Sequence, residues 1–302
     1  NDRTSWVDQT LYSAYVETVI RPMDRLSIIA GLRYDELKDS QIIEAAPSNN
    51  RSQQDSEITA RMGASFEVMS NISAFVSWAE AFTPQVGVTR DFEPIGAERS
   101  ENFEVGVKGS LFDGLLGFDV GVFSTTRLDI AVDDLGAPVD PNDPFGTTFK
   151  IQLGEQVNEG VEVNLNLQSD NGVQVDFAYG YLDQEIKASA EDAASVRNAP
   201  DHQASIFGTY TLQQGSLEGL RFGCGVRYFS ARPSSSETFE FPSVTVADAF
   251  ASYPVLSDST LQLNILNVFD EEYLDSSGFG NTQGLQSFGA PRTAILSFKT
   301  RF

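Results

Sequence analysis

Apolar and polar side chains alternate with a period of two along most of the chain, which is the pattern of β-strands whose two faces differ. In segment 26–35 the even positions from Leu26 to Tyr34 are apolar, whereas Arg33 and Asp35 occupy odd positions. We count about 13 such strands. Most are longer than the roughly 5–6 residues usual in soluble sheets and match the roughly 9–11 residues with which a tilted strand crosses a membrane.

Short and long connections between these strands alternate without a break. The short turns fall near Pro22, Ser70, Asp113, Asp170, Gln214 and Ser257. The long connections are polar, as in 38–57 and 188–201, and they contain little apolar surface to bury. The sequence therefore predicts an all-β fold, an antiparallel up-and-down transmembrane β-barrel with tight turns at one end and long loops at the other.

Composition and charge narrow the possible functions. The chain carries 43 acidic and 20 basic residues, a formal charge of −23, which disfavours nucleic acid as a partner. One cysteine, Cys224, and one histidine, His202, allow neither an internal disulfide nor a site with several histidines. No apolar run approaches the roughly 18 residues of a membrane helix, and the first residues do not read as a signal peptide.

The most specific motif lies near the carboxy terminus. Asn267-Val268-Phe269-Asp270 is followed by Tyr273, and Ala290-Pro291-Arg292 precedes a last alternating strand that ends in Phe302. Together with segments 14–35, 75–84, 101–123, 158–167 and 197–210, this motif resembles the TonB-dependent outer-membrane receptors of the siderophore-receptor type. The order and spacing of these segments extend the resemblance over essentially the whole chain.

The resemblance implies a barrel of about 22 strands that follows a globular plug carrying the TonB box. Residues 1–302 supply about 13 strands and nothing that resembles the plug, so we interpret them as the carboxy-terminal part of such a barrel. On its own this part is expected to form an open, curved sheet, because an odd number of antiparallel strands cannot close.

The family also implies a function, a place and partners. The expected function is uptake of a ferric siderophore across the outer membrane of a Gram-negative bacterium, driven by TonB, ExbB and ExbD through the missing plug. The protein would act as a monomer without a cofactor, in contact with outer-membrane lipid and lipopolysaccharide. Uptake of cobalamin or of a carbohydrate, or passive diffusion through a porin, remain the alternatives.

Two groups of residues are candidates for contact with the ligand. Arg33, Arg127 and Arg227 lie on the polar face near the loop ends of their strands, where guanidinium groups could bind an anionic chelate. The alternative is that they pair with nearby acids such as Asp35 and Asp129. The aromatic candidates, which could stack on the ligand or belong to the girdle at the membrane interface, are Trp78, Phe82, Phe229, Phe279 and Phe288.

Three further features of the sequence bear on function. By resemblance, Phe298 and Phe302 form the family's signal for outer-membrane assembly. The acidic loop that holds Asp133, Asp134, Asp140 and Asp143 could bind calcium, but its spacing does not match an EF-hand, so it is better explained as a solvated loop. Catalysis has no supporting motif, and a barrel hydrolase would need a serine partner for His202.

Overall fold

The computed structural model describes residues 5–43, 51–85, 87–91, 93–134, 136, 149–188, 199–233, 239–277 and 286–301. Thirteen antiparallel strands form one open sheet in chain order, which confirms the predicted fold class and strand number. They are β1 (Ser5–Met23), β2 (Leu26–Ile43), β3 (Arg51–Met69), β4 (Ile72–Thr83), β5 (Glu98–Leu111), β6 (Leu116–Asp133), β7 (Lys150–Gln168), β8 (Val173–Ala188), β9 (His202–Thr211), β10 (Arg221–Phe229), β13 (Val244–Leu256), β14 (Ser259–Leu266) and β17 (Thr293–Thr300).

Two short hairpin-like pairs lie within the long connections and had not been predicted as strands. They are β11 (Arg232–Pro233) with β12 (Glu240–Phe241), and β15 (Leu274–Ser277) with β16 (Gln286–Phe288). Within the described ranges, no helix has the length and apolar character needed to cross a membrane.

The two faces of the sheet differ in polarity as the alternation predicts. One face, called the polar face below, carries Glu17, Gly31 and Arg61 side by side across β1, β2 and β3. The same face carries Asn102, Thr125 and Asn158 side by side across β5, β6 and β7. The other, apolar face carries Val76, Val105 and Val122 side by side. A single sheet with one polar and one apolar face fits a barrel wall that has lipid on one side and an aqueous lumen on the other.

The strands extend further at their loop ends than the sequence predicted. The polar connection expected at 38–57 is partly strand, because β2 and β3 remain paired from Lys38 with Gln54 to Gln41 with Arg51. Main-chain hydrogen bonds hold this hairpin extension, so it needs no apolar side chains. Since β2 has 18 residues and a crossing needs about 9–11, a large part of the hairpin lies beyond the apolar band.

Strand β14 ends at Leu266, directly before the Asn-Val-Phe-Asp motif. Asn267 and Asp270 have φ angles of 51° and 59°, a left-handed conformation that interrupts the regular geometry of a strand. Asparagine and aspartate tolerate this conformation better than other residues with side chains. The Asn-Val-Phe-Asp motif is therefore a corner at which the chain leaves β14.

Most of the well-buried apolar residues lie toward the loop ends of the strands. Segment 84–97 folds against β6 and β7: Lys150 N donates to Val88 O at 2.8 Å, and Gln85 Nε2 donates to Asp129 O at 2.7 Å. Ile95 and Val88 are only 1% and 6% exposed in this segment. The connection between β4 and β5 is thus a packed structure rather than a solvated loop.

Candidate functional site

The three candidate arginines all lie on the polar face, but their side chains are engaged to different extents. Arg33 Nε and Nη2 donate to the two carboxylate oxygens of Asp35 at 2.7 and 2.9 Å, and Nη2 also donates to Ser13 Oγ at 3.0 Å. Ser13 in turn donates to Asp35. This is the ion pair that the sequence offered as the alternative to ligand binding, and it uses three donors of Arg33.

Arg127 is also paired, although with a different acid from the one expected. Its Nε and Nη2 donate to the carboxylate of Glu98 at 2.6 and 2.9 Å, and Nη1 donates to Gln156 Oε1 at 3.2 Å. The expected partner Asp129 adopts a positive φ of 59° instead, and its carbonyl oxygen accepts hydrogen bonds from Gln85 and Gln152. Arg127 is thus paired with an acid, as the alternative to ligand binding states, but that acid is Glu98 and not Asp129.

Arg227 has a single polar contact within the described part of the chain. Its Nη2 donates to Asp248 Oδ2 at 3.0 Å, and half of its side chain is exposed. A guanidinium has five N–H donors, so four of the five lack a protein acceptor among the described residues. Of the three candidate arginines, Arg227 has the most donors available for a ligand.

A concavity of about 350 Å³ lies on the polar face beside Arg227 and Phe229. Its floor exists because small residues stand between larger ones: Ala178 and Ser205 separate Asn164 from Arg227 in register. In the neighbouring row, Gly180 and Gln203 separate Glu162 from Phe229. The structure thus brings two of the predicted site residues together in one hollow of the wall.

The chemistry of this hollow is mixed. Arg227 offers hydrogen-bond donors and a positive charge, Glu162 offers acceptors and a negative charge, and Phe229 offers a half-buried ring. A ligand that carries both oxygen acceptors and N–H or O–H donors on a compact apolar body would match all three. A larger hollow of about 670 Å³ borders Arg33, but it lies at the edge strand β1, and Arg33 is already bound to Asp35.

The remaining aromatic candidates do not join this hollow. Register places Phe82 opposite Arg99 and on the face of Trp78, whereas Ala81 lies on the face of Arg127. Trp78 donates its indole N–H to Glu101. Phe82 and Trp78 thus occupy the apolar face, where girdle aromatics belong. Phe288 lies in the β15–β16 pair and is 72% exposed, while Phe279 lies outside the described residues.

The acidic loop and His202 have partners of their own. Asp134 accepts a hydrogen bond from Arg90 Nη2 at 2.6 Å and one from Gly136 N at 3.2 Å; the Arg90 guanidinium lowers the pKa of this carboxyl despite its burial. The side chain of Asp133, and Asp140 and Asp143 entirely, lie outside the described residues. His202 Nδ1 lies 3.0 Å from Tyr179 Oη, and its ring packs near Tyr181.

Several residues that shape the site were not singled out from the sequence. Asp248 and Glu98 are two of them, since each binds a candidate arginine. Asn267 was recognised as part of a motif but not as a contact of Asp248, whose Oδ1 accepts its main-chain N–H at 2.9 Å. A strand alternation cannot show which residues on neighbouring strands meet, because the register is not written in either strand alone.

At the carboxy terminus, Phe298 projects from the apolar face of β17 opposite Leu261 and is 62% exposed, as a lipid-facing residue would be. Phe302 lies outside the described residues. The role of both residues in assembly stays a prediction.

Residues 1–268 match the family model described as TonB dependent receptor-like, beta-barrel. The chain is 28% identical over 285 residues to the metal-pseudopaline receptor of Pseudomonas aeruginosa strain UCBPP-PA14, covering 91% of this chain and 38% of the relative. It is also 28% identical over 285 residues to the ferrichrome outer membrane transporter/phage receptor of Escherichia coli K12, covering 92% of this chain and 36% of the relative. The chain thus spans a little over a third of the length of these relatives.

Solved structures share the fold. The pyoverdine outer membrane receptor from Pseudomonas aeruginosa PAO1 superposes with a TM-score of 0.79 at 20% identity, over 98% of this chain and 42% of that one. The siderophore receptor PiuA from Acinetobacter baumannii gives a TM-score of 0.77 at 23% identity, over 97% of this chain and 43% of that one. The open sheet therefore has the shape of a section of these barrel walls.

Proposed function

Because this chain belongs to the family of TonB-dependent receptor-like β-barrels, we propose that it forms part of the wall of an outer-membrane receptor that takes up a ferric siderophore. The matched relatives include receptors named for ferrichrome, ferrioxamine B and metal-pseudopaline. Energy would come from TonB, ExbB and ExbD through a plug, and the protein would act as a monomer in the outer membrane, bounded by lipid and lipopolysaccharide. It would need no cofactor of its own and would carry out no catalysis.

The observation that carries this proposal to particular residues is the hollow beside Arg227. Iron chelates present oxygen atoms that carry negative charge, and a guanidinium with unused donors binds such atoms through paired hydrogen bonds. Phe229 supplies a ring against which the chelate can pack. Arg33 and Arg127 would then shape the wall through their carboxylate pairs rather than contact the ligand.

Growth under iron limitation tests the function. A strain that lacks its own siderophore receptors, and that expresses the protein in the outer membrane, is supplied in turn with ferric hydroxamate, catecholate and carboxylate chelates. We expect growth on at least one of them, lost when TonB is deleted. Growth on none of them, together with rescue of cobalamin or carbohydrate uptake, would overturn the iron assignment; uptake that persists without TonB would indicate a passive pore.

Direct binding tests the site. Titration of the purified protein in detergent with the chelate that supports growth gives the Kd of the complex. The substitution Arg227→Ala should weaken binding and raise this Kd. The lipid-face variant Ala251→Leu is a control, because Ala251 pairs with Phe222 and Leu263 on the apolar face. Equal affinity of Arg227→Ala and the wild type would remove Arg227 from the site while leaving the uptake function standing.

A further inference from the structure

Asp248 stands between the hollow and the corner formed by the Asn-Val-Phe-Asp motif. We infer that Asp248 is a positioning residue that couples ligand binding at Arg227 to the base of the last long connection, residues 267–292. This inference rests on the proposed function. It gives the motif, which otherwise only marks the end of β14, a role in ligand capture.

The carboxylate of Asp248 makes one contact in each direction. Its Oδ2 accepts from Arg227 Nη2 at 3.0 Å on β10, and its Oδ1 accepts from Asn267 N at 2.9 Å at the end of β14. Both bonds are charge-assisted, and hydrogen bonds of that kind are stronger than neutral ones. Rotation of the carboxylate toward one partner would therefore weaken the bond to the other.

Asn267 passes this constraint to both ends of the connection. Its Nδ2 donates to Glu271 O at 2.9 Å and to Ala290 O at 3.1 Å, and its Oδ1 accepts from Glu271 N at 2.9 Å. Asn267 as a whole residue is 3% exposed, so these bonds are shielded from water. Asn267 thus ties the start of the connection to its return, next to the residues that lead into β17.

Further contacts stiffen the same base. Arg292 N donates to Asp270 Oδ1 at 2.8 Å, and Gly289 N donates to Tyr273 O at 2.8 Å. A methyl group at position 289 would overlap the Tyr273 ring, which explains why glycine is needed there. These bonds hold the two ends of the connection together, and Asp248 is the contact between this base and Arg227 on the polar face.

Coupling follows from this arrangement because binding free energies are reciprocal. Asp248 holds one N–H of Arg227 and so fixes the plane in which the remaining donors meet a chelate. A chelate that binds those donors fixes Arg227, and with it the carboxylate that holds Asn267 N. Ligand binding should therefore order residues 267–277 and 286–292, and loosening of that base should weaken ligand binding.

Two substitutions separate the bond of Asp248 to Arg227 from its bond to Asn267 N. In Asp248→Asn one oxygen can still accept from Asn267 N, but the charge that holds Arg227 is lost. In Asp248→Ala both bonds are lost. Asp176→Asn is the matched control, since Asp176 is another aspartate of the polar face and binds Asn166 rather than Arg227.

The experiment combines titration with hydrogen exchange on the whole purified protein, using the chelate that supports growth. In the wild type, we expect the chelate to slow amide exchange at 267–277. Asp248→Asn should raise the Kd about tenfold, with exchange at 267–271 near that of the free wild type; Asp248→Ala should raise both the Kd and the exchange rate. Asp176→Asn should change neither.

The outcomes distinguish the inference from the proposed function. If the wild type binds the chelate but Asp248→Ala binds it equally well, or if exchange at 267–277 does not respond to the chelate, Asp248 is only a structural residue. If the wild type binds no ferric chelate, the proposed function fails first. Outer-membrane yield and the thermal transition of each variant show whether it is folded, and Asp248→Asn keeps the test decisive if Asp248→Ala does not fold.

Discussion

Arg127 and Arg227 lie on the same face of one sheet, yet their surroundings differ in the number of bonds each makes. Arg127 is held by Glu98 and by Gln156, which is 1% exposed. Arg227 has one bond, to Asp248, and opens onto a hollow. The comparison teaches that a charge on the polar face is not in itself a site; what matters is how many of its donors the protein has already used.

The largest expected effect is on ligand binding at Arg227. Arg227→Ala should raise the Kd for the transported chelate by about 10- to 100-fold, because charge-assisted hydrogen bonds to ligand oxygens are lost. The midpoint of urea unfolding in detergent should change little. Titration calorimetry and an unfolding curve on the same preparation check both halves, and a large loss of stability would contradict the comparison.

Arg127→Ala should show the opposite behaviour. It leaves the Glu98 carboxylate and the Gln156 oxygen without their donor, which should destabilise the fold by roughly 1–3 kcal/mol. Ligand affinity should stay within about twofold of the wild type. Arg99→Ala, which removes the exposed pair with Glu57, is the control and should change stability much less.

Filling the hollow should weaken binding without removing any charge. Ala178→Leu places a larger side chain between Asn164 and Ser205, and we expect the Kd for a bulky chelate to rise about tenfold through steric overlap. The substitution Ala251→Leu on the apolar face should have no such effect. If Ala178→Leu binds like the wild type, the ligand does not enter this hollow.

The packed segment 84–97 should become less stable in acid, because Asp134 holds Arg90 of that segment. Arg90 lowers the pKa of this carboxyl, so the pairing stabilises the fold above the ordinary aspartate pKa and the stabilisation disappears as the pH falls through the lower, folded-state value. Hydrogen exchange at 87–95, corrected for intrinsic rates, should be faster in Asp134→Asn than in the wild type near pH 6. This difference should shrink and then vanish as the pH falls through the lowered, folded-state pKa of Asp134. A difference that persists once this carboxyl is protonated would mean that another contact holds the segment.

The smallest effect is expected at His202. Its ring packs with Tyr179 and Tyr181 on the apolar face, away from Arg227. His202→Ala should leave chelate uptake within about twofold of the wild type. An esterase activity in the wild type that this substitution abolishes would instead support the barrel-hydrolase reading.

Much of the fold follows from the sequence, because a strand in a barrel wall must alternate between lipid and water. The turn at Asp113 and Gly114 and the polarity of β17 were predictable for that reason. The extension of the strands at their loop ends was not predictable. The β2–β3 extension is polar on both faces, so its pairing leaves no hydrophobic pattern in the sequence. The early end of β14 could have been suspected from Asn267 and Asp270, two residues that tolerate positive φ.

The candidate site was only partly predictable. Arg227 and Phe229 share a face because they are two residues apart on one strand, which a sequence shows directly. The distinction of Arg227 from Arg127 depends on partners contributed by other strands, namely Asp248 and Glu98, whereas Arg33 is paired with Asp35 two residues along its own strand. Phe82 shares a face with Trp78 because the two are four residues apart on β4, but alternation alone does not show which face of this strand meets the lumen.

The extended β2–β3 hairpin has an electrostatic consequence for the speed of capture. The polar face of this hairpin carries four acidic residues close together, of which the first two are paired with arginines: Asp35, Glu57, Asp39 and Asp55. The hairpin adds to the negative field of a chain with a formal charge of −23. Under the proposed function, a neutral ferric chelate would reach the polar face at a rate that salt barely changes, whereas an anionic chelate would have to approach against repulsion and would arrive faster as ionic strength rises.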